Sequence, residues 1–135
     1  MKRAAKALIR NHQGEILVLF RSQTHPRLAH DIDLPGGEIE HREAVEMGLA
    51  REVVEETGMV LDFETHHRRL SWRSGISRSR HLYEVVDDGV QPVKISWEHE
   101  SYAWMSDEDF INHPAVDEFM HRVQEWLKTT ISQGV

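Results

Sequence analysis

Three glutamates crowd into the stretch REVVEETG, Arg51 to Gly58, at Glu52, Glu55 and Glu56, with Val53 and Val54 between them. Positions i, i+3 and i+4 share one face of a helix, so the three carboxylates point to one side. At about 100° per residue, Glu56 also continues a row begun by Val45 and Leu49, two residues expected to pack on a sheet. The row starts apolar and ends acidic. Carboxylates in the last turn of a helix meet the negative end of its dipole, at about 0.3–1 kcal/mol each. Like charges at i+4 add a few tenths more. Arg51 is the only cation in the last two turns. A bound divalent cation removes both penalties, and grouped carboxylates are the donors that hard Mg2+ or Mn2+ selects. A solvated acidic face satisfies the same local spacing, so spacing alone leaves both readings open.

The longer pattern is more specific. From Gly37 to Met59 the chain reads GEIEHREAVEMGLAREVVEETGM. It fits G-x5-E-x7-R-E-U-x-E-E-x-G-U, with U an aliphatic residue, at all nine specified positions across 23 residues. This resembles the signature box of the Nudix hydrolases. The resemblance implies an α/β/α sandwich with a mixed sheet, the box folded as loop–helix–loop, and hydrolysis of a nucleoside diphosphate linked to another moiety. It also implies Mg2+ or Mn2+ between box carboxylates and substrate phosphates.

Carried onto this chain, the resemblance makes Glu52 and Glu56 the main metal ligands. Glu55 becomes an additional or water-mediated ligand, and the carbonyl of Gly36 a further one. Gly37 and Gly58 belong to the box itself, while Glu43 and Arg51 are expected to hold its loop and orient Glu52. Members of that family often take one more acidic group from a loop beyond the box. SWEHESYAWMS offers Glu98 and Glu100, and Glu98, six residues before Trp104, matches the family's placement. Glu52 is the first choice of general base and Glu98 the second. Arg21 matches a position where relatives carry a substrate-contacting basic residue.

Other chemistries recede. The chain has no cysteine, which excludes disulfides, thiolate metal sites and a cysteine nucleophile. Its net charge of −7 gives no general basic field for long DNA or RNA. The ten histidines show no ligand spacing; His66 and His67 read as opposite faces of a strand, and His99 as polar surface. Trp72, Tyr83 and Trp97 offer rings on which a base can stack, but core or partly buried packing is the favoured reading. Arg73, Arg78 and Arg80 flank a turn at Gly75; such a cluster in an acidic chain suits a polyphosphate, but a solvated hairpin tip is the favoured reading.

Substrate choice lies outside the box. The region RRLSWRSGIS lacks the proline found past the box in some ADP-ribose hydrolases of the family. Arg21-Ser22 is not followed by the glycine of the coenzyme A subgroup pattern. A nucleoside triphosphate or similar small nucleotide is the leading substrate. The alternative is a catalytically silent Nudix-like nucleotide-binding regulatory domain, although such domains usually lose box glutamates. The expected partner is a small phosphorylated nucleotide, with a homodimer allowed for and neither long nucleic acid nor membrane expected.

The elements that must position these groups read as one α/β domain over residues 1–135. RAAKALIR, NHQG and EILVLFRS read as strand, turn and strand. Residues 23–37 read as a loop, ending in LPGG. The box helix spans about 43–57, with Gly58 at C′. Gly48, inside it, costs about 1 kcal/mol against alanine and marks close packing of loop on helix. Strands follow near 60–72 and 79–87, then a turn at DDGVQP, a strand at SYAWMS and a short helical turn at SDEDFINH. Pro114 opens a C-terminal helix whose Val116, Phe119, Met120, Val123 and Leu127 recur at helical spacing. The basic opening MKRAAKALIRNH is interrupted by Lys6 and Arg10, too soon for a signal peptide, and no run approaches a membrane span. A cytoplasmic location is the expectation.

Overall fold

A computed structural model describes residues 2–87 and 91–133. In chain order its elements are β1 (Lys2–Arg10), β2 (Ile16–Arg21), β3 (Ile32–Asp33), β4 (Gly36–Ile39), α1 (Val45–Thr57), β5 (Arg68–Arg73), β6 (Arg78–Val86), β7 (His99–Met105), α2 (Asp107–Asn112) and α3 (Glu118–Gln133). A 3-10 turn at Thr65–His67 precedes β5.

The site begins with a hairpin whose arms part. Asn11 closes the turn, its Oδ1 accepting from the N–H groups of Gln13 and Glu15 at 3.0 Å, and Gly14 takes a positive φ of 80°. β1 and β2 pair only at Arg10 and Ile16 and then diverge. Into the wedge runs the segment 32–39. β3 pairs with β2, Leu19 opposite Asp33, and β4 pairs with β1, Lys6 opposite Gly36. Between them the Ala7 N–H donates to the Pro35 carbonyl at 2.8 Å. The sequence reading gave this region to a loop. Its two strands are two and four residues long and hold Pro35, Gly36 and Gly37 near their junction, so no alternating pattern develops.

The remaining strands complete a mixed seven-stranded sheet. β6 lies parallel to β1 from Lys2–Arg78 to Arg10–Val86, β5 runs antiparallel to β6, and β7 runs antiparallel to β2. Alternation along β1 and β2 fills two cores, one on each face. Ala5, Ala7, Ile9, Leu17 and Leu19 meet Leu49 and Val53 of α1. Leu8, Ile16 and Val18 meet Phe110 of α2 and Phe119, Met120, Val123 and Leu127 of α3. The result is the α/β/α sandwich that the resemblance implied.

Several boundaries differ from the sequence reading. α1 starts at Val45, and α3 starts at Glu118, not at Pro114. Residues 60–64 are not a strand, and His66 and His67 occupy the 3-10 turn with ring centroids 4.1 Å apart, not opposite strand faces. Of the turn expected at DDGVQP, residues 88–90 lie outside the described residues. No described helix is long and apolar enough to cross a membrane.

Candidate active site

Of the defined box positions, Gly37, Glu52, Glu55 and Glu56 line one cleft at the mouth of the wedge, together with Gly36, while Val53 and Met59 are buried in the core. Gly36 has φ 136°, and a Cβ there would come 2.2 Å from the carbonyl oxygen of Ala5. Glycine alone lets β4 close on β1 at this point. Gly37 follows, where a Cβ would lie 3.1 Å from the Glu52 carboxylate. The two glycines thus bring main chain against the acidic end of α1.

The glutamates differ in their surroundings. Glu56 is 6% exposed, and its Oε2 accepts the Gly36 N–H at 2.9 Å. Burial pushes its pKa up to about 8, against the opposing pull of the Lys6 ammonium and the Gly36 N–H. Glu52 is half-buried and its pKa is also raised, again chiefly by burial, with Arg51 pulling the other way. Glu55 is exposed. Thus the apolar row does end on a buried carboxylate, while the third glutamate faces water.

Arg51 organises the helix end. Its Nε and NH2 groups donate to both oxygens of Glu43 at 2.8 and 3.0 Å, and NH1 reaches Glu52 and Glu55 at 3.3 Å. Glu43 in turn accepts the Glu40 N–H at 2.9 Å, which ties the loop to the helix. Those bonds, Arg51 first, hold the Glu43 carboxyl at about 2. A Cβ on Gly48 would meet Glu43 Oε1 at 2.7 Å and Ile39 at 2.9 Å, so the loop does pack directly on the helix there. Gly58 closes the helix at φ 72°, its N–H donating to Val54.

Glu98 arrives by a separate route. The chain after residue 90 lies over the C-terminus of α1, the Lys94 N–H on the Thr57 carbonyl at 2.8 Å and the Ser96 N–H on that of Glu56 at 3.2 Å. The Glu98 carbonyl then accepts the Ser22 N–H at 3.0 Å, at the end of β2. A cleft of about 560 Å3 results, with Glu52, Glu55, Glu56, Gly36 and Gly37 on one side and Glu98 and Trp97 on the other.

Behind the cleft is a charged wall of which the sequence reading had named only Arg21. Lys6 donates to Asp33 at 2.8 Å and approaches the Gly36 carbonyl at 3.5 Å. Arg21 is 5% exposed and is held by Asp31 at 3.4 Å and by Asp33 and Asp117 at 2.9 Å each. Arg21 therefore reaches the cleft with its guanidinium already engaged. Burial raises the Asp33 carboxyl, but Lys6, His99 and Arg21 outweigh it and hold the group well below the usual range.

Two other sequence readings change. His99 is buried, not surface, with Nε2 3.1 Å from Asp33 and Nδ1 without a partner among the described residues. Trp97 is 82% exposed at the cleft rim, not packed in a core. Lys6 left one legible signal: a lone cation in the apolar run AAKALI, at the spacing of the buried Ala4 and Leu8. Asp33, His99 and Trp97 left none, because their surroundings come from distant strands.

Among the described residues no three carboxylate or histidine side chains stand close enough to hold a metal as they are placed. Like charges spread when unneutralised, and Arg51 draws Glu52 and Glu55 toward itself. The donor chemistry still fits a hard cation: carboxylate oxygens, a glycine-lined main-chain approach, and a carboxyl group, Glu56, buried against it.

Comparisons with known proteins agree with this geometry. The family model described as the NUDIX domain matches residues 1–127. Comparison with curated protein sequences gives no match. Among solved structures, a MutT protein from Methanosarcina mazei Go1 is 28% identical, with a TM-score of 0.77 over 98% of this chain and 94% of that one. A Caenorhabditis elegans Ap4A hydrolase in a binary complex shares the fold at 20% identity and TM-score 0.74, over 98% and 99% of the two chains. So does the NUDIX domain of Shewanella oneidensis NrtR, complexed with ADP ribose, at 18% identity and TM-score 0.70, over 96% and 87%. With an unbroken box, the sandwich built around it and a family model spanning nearly its whole length, the chain belongs to the Nudix family and is a pyrophosphohydrolase of that family.

Proposed function

We propose that the chain, acting as one catalytic domain, is a divalent-metal-dependent hydrolase of a nucleoside diphosphate linked to another moiety, with a nucleoside triphosphate or similar small nucleotide as leading substrate. The observation that carries this reading is Glu56, a carboxylate buried against the Gly36 main chain on the acidic side of an open cleft. Glu52, Glu56 and the Gly36 carbonyl would hold Mg2+ or Mn2+, with Glu55 and Glu98 as further donors. Such an ion would neutralise phosphate charge and lower the pKa of a water, which attacks phosphorus as it gives up a proton.

The chain's own groups do the rest. Glu52, half-buried beside Gly37, accepts the proton of the attacking water, with Glu98 across the cleft as second candidate for that role. The new P–O bond forms as the bridging P–O bond breaks, and the leaving phosphate departs with its electron pair. Arg51 and Glu43 fix the helix end so that Glu52 keeps its place. Arg21 and Lys6 lend positive charge to the cleft wall from behind Asp33. Trp97 offers an exposed face at the rim on which a nucleobase can stack. An Ap4A hydrolase and an ADP-ribose complex among the structural relatives support a nucleotide substrate.

The test is phosphate and pyrophosphate release from a nucleotide panel with Mg2+, for wild type and Glu56→Gln. Metal-dependent turnover that falls by a hundredfold or more, roughly, in the variant is the expected result. Turnover that survives the substitution removes Glu56 from the mechanism. Nucleotide binding with no turnover on any compound favours the silent regulatory alternative.

A further inference from the structure

Beyond Trp97 lies a further cavity of about 530 Å3. It shares Ser22, Thr24, Trp97 and His99 with the lining of the acidic cleft, so the two spaces adjoin along the indole. The loop between β2 and β3 forms one wall, and the turn at 96–99 with the start of β7 forms the other. Neither wall is loose. Within the loop His25 Nδ1 accepts the Leu28 N–H at 3.0 Å, and where the loop returns the His30 N–H donates to the Arg21 carbonyl at 3.0 Å. His30 Nδ1 then stands 2.6 Å from Glu100 Oε1, which fastens the loop to β7.

Trp97 leaves 82% of its surface in water. Burying such a ring ordinarily stabilises a fold, yet the chain holds this one out. Its main chain is tied on both sides: the Ser96 N–H donates to the Glu56 carbonyl at 3.2 Å, the His99 N–H to the Ser96 carbonyl at 3.2 Å, and the Glu98 carbonyl accepts the Ser22 N–H at 3.0 Å. The indole thus sits on an ordered turn between the cleft and the cavity. Among the described residues no lysine or arginine lines the cavity, which disfavours a phosphate there. Its one lining carboxylate is Glu100; His30 engages one oxygen, and the other has no hydrogen-bond partner among the described residues. A flat apolar face beside a free acceptor suits a ring with N–H groups on its edge.

We propose that this cavity is the subsite for a planar nitrogen heterocycle joined to the substrate's phosphate chain, stacked on Trp97 and held at its N–H edge by Glu100. The inference rests on the hydrolase reading and deepens it, since it makes Trp97 and Glu100 the residues that select the substrate. Two sources supply such a ring: the base of the nucleoside diphosphate, or a base in the moiety linked to it.

Intrinsic fluorescence with Mg2+ tests the placement without turnover, using non-hydrolysable methylene analogues of ATP and of diadenosine tetraphosphate. A saturable quench by the ATP analogue places the nucleoside's own base in the cavity; a quench by the diadenosine analogue alone places the second base there. Methylenediphosphonate, which has no ring, should leave the emission unchanged. Trp97→Phe should abolish the quench yet keep the calorimetric affinity, because a phenyl ring still stacks. Trp97→Ala should weaken that affinity by about tenfold, and Glu100→Ala by about fivefold or more. Calorimetric binding with no quench by either analogue, or a quench that survives in Trp97→Phe, overturns the inference and leaves the hydrolase reading standing. Absence of binding by both analogues counts against the hydrolase reading itself, and the inference falls with it.

Discussion

Arg51 holds together a loop and a helix end that would otherwise repel. One guanidinium engages Glu43 with two nitrogens and reaches Glu52 and Glu55 with the third. A consequence appears in acid. The Glu43 carboxyl ordinarily titrates at 4.5 and is held at about 2 in the folded chain. Because the folded value is depressed, its stabilisation is fully present above about pH 4.5 and is lost as pH falls toward 2. Thermal melts of wild type and Glu43→Gln should therefore differ at pH 7 and converge between pH 4.5 and 2; a constant gap would show that the carboxylate charge is not what Arg51 holds. Lys6 shows the opposite arrangement, a cation placed among carboxylates: burial lowers its pKa, but Asp33 and then Glu56 more than restore it, so the ammonium stays charged. Trp97 and His99 were misread for a common reason. Aromatic and imidazole side chains occupy rim and core with the same sequence signature, and only the approach of Asp33 and the end of β2 separates the two cases.

Among the elements, α1 was legible because its apolar row repeats over more than three turns and a left-handed glycine stops it. That glycine also answers why three glutamates crowd together just before it. The helix ends where the cleft begins, so the last turn presents its carboxylates there. β3 and β4 were not legible, although they carry half of the site. Their conformation is set by β1 and β2, which part after one pair and leave a gap that only a glycine-bearing segment can enter. Replacing Gly36 by alanine should thus cost about 3 kcal/mol or more, combining left-handed strain with overpacking against Ala5. Gly14→Ala meets nothing within 4 Å and should cost about 1–2 kcal/mol from backbone conformation alone. Urea unfolding of the two variants measures the difference, and equal losses would mean that β4 can move away from β1 without penalty.

Across the whole molecule, charge is sorted by face. The cleft lining combines Asp33, Glu38, Glu52, Glu55, Glu56 and Glu98 with Lys6 and Arg21, whereas a cavity on the α3 face, lined by Arg78 and Arg80, carries a positive excess. A cation selective for the folded cleft must stabilise the fold by mass action, by about 2.7 kcal/mol at a hundred times its Kd. Mg2+ should accordingly raise the melting temperature by roughly 5–10 °C and EDTA should reverse the shift. The same shift from sodium chloride at matched ionic strength would reduce the effect to screening. Apart from the helix row on each side, which the family resemblance implied, the sequence by itself determined the box helix, its glycine stop, the acidic row and the α/β layering. Those features follow from short-range rules, helical spacing and strand alternation, that act within a dozen residues. Only the tertiary structure decided that Lys6, Asp33 and His99 meet, that Trp97 stands at the rim, and that Arg78 and Arg80 line a cavity. Each of those depends on strand pairing between residues far apart in the chain, where hydrogen-bond register and the room left by Ala4 opposite Arg80 set the neighbours.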